Sequence, residues 1–210
     1  MTRIHRRTLL AAGTALAAAA ALPLSAFAQG AGTGEFFENR PLPEMELGAK
    51  DAPVIITEYA SMTCPHCKSF HESVWPKLKE EYVDTGKVRY QLREFAFDNL
   101  AAAASMLARC APNDGYFPMV DILFERQSQW SRAQNPAAEL FNIAKLAGFT
   151  EETFRACLTN QKLLDDINAV RAEGRKFGVT GTPTIFVNGE KLDGSSYENI
   201  KKAIDAKLPS

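Results

Sequence analysis

The strongest periodic signal in the chain is an apolar, β-branched run, Val54-Ile55-Ile56-Thr57-Glu58-Tyr59, which follows the turn signal Asp51-Ala52-Pro53. Such a run predicts a strand. Beyond Ala60 the period lengthens, and Cys67, Phe70, Val74 and Leu78 recur at helical spacing. They predict a helix to about Tyr82, kinked at Pro76 and stopped by Asp84-Thr85-Gly86. Val88 to Phe95 alternates as a second strand, with Val88, Tyr90 and Leu92 on one face. From Leu100 to Phe177 only helical spacing remains. It predicts a helix with Leu100, Ala103, Ala104 and Leu107 on one stripe, then helices over 116–127, 136–147 and 162–177, and a short one capped by Thr150. Strand signals return with Thr184-Ile185-Phe186-Val187, the hairpin turn Asn188-Gly189 and Glu190-Lys191-Leu192. Ser196 caps a last helix to about Leu208. Ahead of all this, Gln29 to Gly34 reads as a loose tether and Met45 to Leu47 as a short edge strand. The order is β-α-β, a helical block, then β-β-α, which is an α/β arrangement with a helical insertion.

Composition narrows the partners. The chain has 210 residues, 46% hydrophobic and 23% charged, enough for one substantial core. Its first 28 residues hold Arg3, Arg6 and Arg7, an apolar run from Leu9 to Leu22, and Ala26-Phe27-Ala28. That is a charged start, an apolar centre and a small-residue cleavage pattern, so a signal peptide cleaved after Ala28 is expected. Arg6-Arg7-Thr8-Leu9-Leu10 also resembles a twin-arginine signal, although His5 stands where that pattern prefers Ser or Thr. Ordinary secretion and twin-arginine export both stay open. Either route predicts an exported, periplasmic protein in a compartment where disulfides persist. Without the leader the chain carries 21 basic and 25 acidic residues, and no basic stripe points to nucleic acid. The apolar leader is too short to span a bilayer comfortably, and no later stretch is longer, so an integral membrane protein is not expected.

The chemistry is concentrated in Cys64-Pro65-His66-Cys67, between the first strand and the first helix. Pro65 suits the first helical position, since its missing N–H would be unpaired there. A sulfur at a helix N-terminus meets free N–H groups and the positive end of the macrodipole, which stabilise a thiolate. His66 adds a donor nearby. Cys67 shares the inward face with Phe70 and Val74, so it is expected to be the buried, resolving thiol. A zinc site would need a second ligand pair at suitable spacing, and Cys110 and Cys157 are far apart in sequence. The pattern favours redox exchange with no metal and no cofactor.

The strand Val54 to Tyr59, the Cys64-Pro65-His66-Cys67 motif, the helical insertion and Gly178-Val179-Thr180-Gly181-Thr182-Pro183-Thr184 resemble the DsbA family of thioredoxin-fold periplasmic disulfide oxidoreductases. The resemblance covers nearly all of the mature chain. It implies a thioredoxin-like fold over 54–99 and 178–208, an all-helical insertion over 100–177 and an N-terminal arm over 29–53. It implies a thiol oxidase that introduces disulfides into cysteine-containing exported polypeptides and is reoxidised by a DsbB-type membrane protein. It also implies a cis-proline at Pro183, with Thr182 offering its backbone to a substrate peptide. Thr182 departs from the oxidase pattern, where Val is usual, and resembles isomerases of the DsbC type. An isomerase or reductase served by a membrane reductase is therefore the alternative, and a non-catalytic peptide-binding surface module of the same fold is another.

Four further readings concern single residues. Glu58, turned inward, would shuttle a proton for Cys67, and the resembled family has an acid at the matching position. Turned outward, it would meet solvent or Arg93, and alternation leaves both open. His71, one turn after Cys67, is expected on the exposed side of its helix. Cys110 and Cys157 lie on apolar stripes, and in an oxidising compartment they are expected to bond as a structural disulfide, with two separate buried thiols as the alternative. Some relatives in the resembled family carry a second disulfide. Tyr116, Phe117 and Trp130 would line a groove or, more simply, join the core.

Overall fold

The computed structural model describes residues 33–209. The expected leader and cleavage site lie outside the described residues. Helix α1 spans Thr33–Phe37, and the five strands are β1 (Met45–Leu47), β2 (Val54–Ala60), β3 (Val88–Glu94), β4 (Thr184–Val187) and β5 (Glu190–Lys191). The sheet order is β1-β3-β2-β4-β5. Only β2 and β3 run parallel, with Glu58 opposite Leu92, and every other pairing is antiparallel. The parallel pair needs a crossover, supplied by α2 (Pro65–Ser73), α3 (Trp75–Leu78) and a π-helical turn over Lys79–Val83. Between β3 and β4 come six helices, α4 (Asn99–Arg109), α5 (Tyr116–Glu125), α6 (Gln127–Ser131), α7 (Pro136–Leu146), α8 (Glu151–Leu158) and α9 (Gln161–Lys176). Helix α10 (Tyr197–Asp205) closes the order.

Strand β2 is covered on both faces, which explains why its sequence is almost continuously apolar. Val54, Ile56 and Ala60 join the main core with Cys67, Phe70, Trp75, Tyr90, Leu92 and Phe124. Tyr59 points the other way, into a smaller cluster of Phe36, Phe95, Val170, Val179 and Phe186. Helix α9 approaches closely on that side because Gly174 lies against it. A Cβ there would sit 2.8 Å from the Tyr59 ring.

Three details depart from the sequence expectations. The first crossover helix is not one kinked rod. It stops at Ser73 and restarts at Trp75, because Pro76 has no N–H to donate to Glu72 and so interrupts the ladder. The helix expected over 116–127 is two, with Arg126 between them. The tether gives way to α1 from Thr33, because Phe36 buries its ring against Phe37, Phe177 and Phe186, with centroids 4.6 to 5.0 Å apart. Arg93 packs 4.2 Å over the Phe36 ring and pairs with Glu44 at 2.7 Å.

Candidate active site

Strand β2 delivers the chain into Ser61-Met62-Thr63, and Cys64 is the N-cap of α2 with Pro65 following it. The loop is held from several sides. Thr63 donates to Asp98 at 2.9 Å, and Asp98 in turn caps α4 by accepting from the Ala101 N–H at 2.7 Å. The buried amide of Gln127 donates to the carbonyls of Met62 and Cys64, at 2.8 and 3.0 Å. Lys68 donates to the Phe124 and Glu125 carbonyls and pairs with Glu72. The first turn of α2 is thus fixed to α5 and α6. Gln127 was invisible to sequence reasoning, because a lone glutamine near a helix start carries no pattern.

Cys64 and Cys67 are free thiols. Cys64 is half-buried and Cys67 is fully enclosed. Pro65 and His66 are exposed at the surface, while Thr182 and Pro183 are half-buried. The Thr182–Pro183 peptide is cis, and the Cys64 thiol donates to the Thr182 carbonyl at 3.3 Å. The two sulfurs differ in acidity. Donation from the Cys67 thiol holds Cys64 down at about 5, against the opposing effect of burial. The Thr182 hydroxyl and the Cys67 and His66 N–H groups push the same way. The Thr182 carbonyl can serve only the protonated thiol, and the four donors outweigh it. Cys67 is driven far up by burial, by its donation to Cys64 and by the Glu58 charge.

Glu58 points inward. It is fully buried, accepts from the Tyr90 hydroxyl at 2.5 Å, and does not meet Arg93, which lies on the other face of the sheet. His71 is also inside, contrary to expectation. Its Nε2 lies 3.2 Å from Glu58 Oε2, with an angle too poor for a hydrogen bond, and its ring stacks on Phe124 at 4.2 Å. The signal was available, since His71 follows Cys67 by four residues and so shares its face. Of the three aromatics, Tyr116 and Trp130 are core residues and Phe117 packs at its edge.

Cys110 and Cys157 are joined by a disulfide that ties the end of α4 to α8. They are therefore not a second ligand pair for Cys64 and Cys67.

A family model described as Thioredoxin matches residues 42–206. Wolbachia pipientis alpha-DsbA1 superposes with a TM-score of 0.75 at 31% identity, covering 83% of this chain and 95% of that one. The chain is a DsbA-like member of the thioredoxin family. Bacillus subtilis BdbD, in its oxidised crystal structure, is a further neighbour, with a TM-score of 0.71 and 27% identity over 79% of this chain and 92% of that one. Among named relatives, a Rickettsia bellii protein called "Putative protein-disulfide oxidoreductase" is 37% identical over 166 residues, 77% of this chain. The chain spans only 63% of that protein's length. Among the described residues no helix is long and apolar enough to cross a membrane.

Proposed function

We propose that the chain is a thiol:disulfide oxidoreductase that gives the Cys64–Cys67 disulfide to cysteine-containing exported polypeptides. The observation that carries this reading is the split between the two thiols, with Cys64 held at about 5 and Cys67 pushed up. A stabilised Cys64 thiolate favours the reduced form, and a disulfide whose reduced form is favoured is an oxidant. A substrate thiolate attacks Cys64 Sγ, the Cys64–Cys67 bond breaks, and its electron pair leaves on Cys67, which takes up a proton. The second substrate thiolate then attacks the substrate sulfur of the mixed disulfide and expels Cys64 as a thiolate. Two electrons pass to the protein and one new disulfide is left in the substrate. Thr182 and Pro183, beside Cys64, would pair with the substrate backbone.

Export under the N-terminal leader, periplasmic residence and reoxidation by a DsbB-type membrane protein follow from the same reading. The test is equilibration of the Cys64–Cys67 pair with a glutathione series. A potential near the roughly −120 mV of DsbA is expected. One near the roughly −270 mV of thioredoxin would turn the reading toward a reductase or isomerase, the direction that Thr182 before Pro183 suggests.

A further inference from the structure

The buried polar groups around α2 include one that the exchange steps do not use. The His71 side chain is 4% exposed and Glu58 beside it 0%. Both His71 nitrogens and Glu58 Oε1 lack a hydrogen-bond partner. An unpartnered buried polar group costs about 1–3 kcal/mol, so three of them in one cluster call for a use. His71 has two neighbourhoods. On one side lies Glu58, which shares its Oε2 with the Tyr90 hydroxyl and raises Cys67 through its charge. On the other side His71 lines a surface groove of about 360 Å³, with Asp121 and Glu125 from α5, Lys79 after α3 and Glu72 from α2. Cys64, Thr182 and Pro183 do not line that groove. The Asp121 carboxyl, raised by burial and lowered in part by His71 and Lys79, lines the same groove as the imidazole.

From this arrangement we propose that His71 is the outer half of a proton relay, carrying protons between the groove and the buried Glu58 carboxyl. This rests on the oxidoreductase reading. When Cys67 leaves as a thiolate it is enclosed, and the pKa that burial has raised makes it take up a proton. Substrate covers the Cys64 side at that moment. In the relay the Glu58 carboxyl gives its proton to Cys67 Sγ. In the same step the His71 imidazolium gives its Nε2 proton to Glu58 Oε2, and neutral His71 then regains a proton from groove water. The balance closes: the two substrate thiols lose two protons, one proton from solvent arrives on Cys67, and Cys64 stays a thiolate. His71 touches neither sulfur, so it acts through Glu58, as a positioning residue for the proton.

The test is single-turnover oxidation of a reduced two-cysteine peptide by the full chain, in wild type, His71→Gln, Glu58→Gln and the double variant. His71→Gln is expected to slow the step about tenfold or more, less than the roughly hundredfold minimum for a group that passes a proton directly to the reacting atom, because Glu58 remains. Gln has no ring proton to pass, so the ratio of wild-type to variant rate is expected to change with pH. In the Glu58→Gln background the same change is expected to add nothing. A constant ratio, or equal slowing in both backgrounds, overturns the relay and leaves His71 a packing residue. If wild type itself fails to oxidise the peptide, the oxidoreductase reading falls as well. Should His71→Gln not fold, the wild-type rate in H2O/D2O mixtures decides. Two protons in flight bow the plot, and a straight line rules the relay out.

Discussion

The two cysteine pairs sit at opposite ends of helices. Cys64 is the N-cap of α2 and Cys110 is the C-cap of α4. A thiolate at Cys64 meets N–H groups and the positive end of the dipole. A thiolate at Cys110 would meet the negative end, and Cys157 Sγ lies 3.2 Å from the Met106 carbonyl oxygen. Helix ends are each worth roughly 0.3–1 kcal/mol, so opposite ends separate the two leaving groups by roughly tenfold before other donors are counted. Exchange is faster when the departing thiolate is stable. Access is not the difference, because Cys110 and Cys157 both line a surface groove of about 350 Å³. The same covalent bond is thus set up for turnover in one place and for permanence in the other.

The comparison breaks most sharply at the sulfurs themselves. Cys64→Ala is expected to abolish oxidation of a dithiol peptide completely, while the Cys110→Ser/Cys157→Ser double variant keeps it. Activity in the first, or its loss from a folded second, would mean that the pairs had been assigned the wrong way round. What the double variant loses is stability. Its closed loop has a sequence separation of 47. A loop of that size is worth roughly 4 kcal/mol by chain entropy, or about 10 °C in Tm for a domain of this length. Thermal unfolding of both proteins under the same oxidising buffer measures it. An unchanged Tm would make the bond decorative.

How far the contrast was readable in the chain depends on which interaction makes it. The N-cap position of Cys64 follows from a strand, a Pro at the next residue and helical spacing from Cys67, all local signals. The partnership of Cys110 with Cys157 was legible as two apolar stripes and an oxidising compartment, although their contact depends on how α4 and α8 pack. Glu58 was ambiguous because β2 is buried on both faces, so alternation could not say which side was wet. His71 was misread although its spacing from Cys67 was plain, because a histidine in a charged helix segment resembles a solvated one. Gln127 and the α1 ring cluster around Phe36 are long-range contacts with no local periodicity. Such contacts appear only once the helices are packed.

The acidity of Cys64 makes a pH test of the same contrast. Its folded value is depressed from 9.0 to about 5. A depressed acid stabilises the folded reduced form fully above the unfolded value, and the benefit is lost as pH falls through the folded value. The oxidised protein has no such thiolate. The Tm of the reduced protein relative to the oxidised one is therefore expected to rise with pH between about 5 and 9, most of it above 5. The Cys110–Cys157 bond does not titrate, so the double serine variant should shift both curves without changing their difference. A difference that is flat with pH would mean that Cys64 is an ordinary thiol.

The smallest expected effect concerns the Thr182 hydroxyl, which is buried, makes no hydrogen bond within the protein, and is one of several groups that lower Cys64. Thr182→Val removes that donor at nearly constant volume and leaves the carbonyl in place. A hydrogen bond to a charged group is worth about 1.5 kcal/mol at its weaker end, so the Cys64 midpoint should rise by about one unit. Ultraviolet titration of the thiolate reads this directly. The disulfide should become a weaker oxidant by the same free energy, since only the reduced form loses the donor. Cys67 and the helix N–H groups remain, so Cys64 should stay far more acidic than a free cysteine. If the midpoint does not move, the hydroxyl is turned away from the sulfur, and the asymmetry between the pairs rests on the helix ends and Cys67 alone.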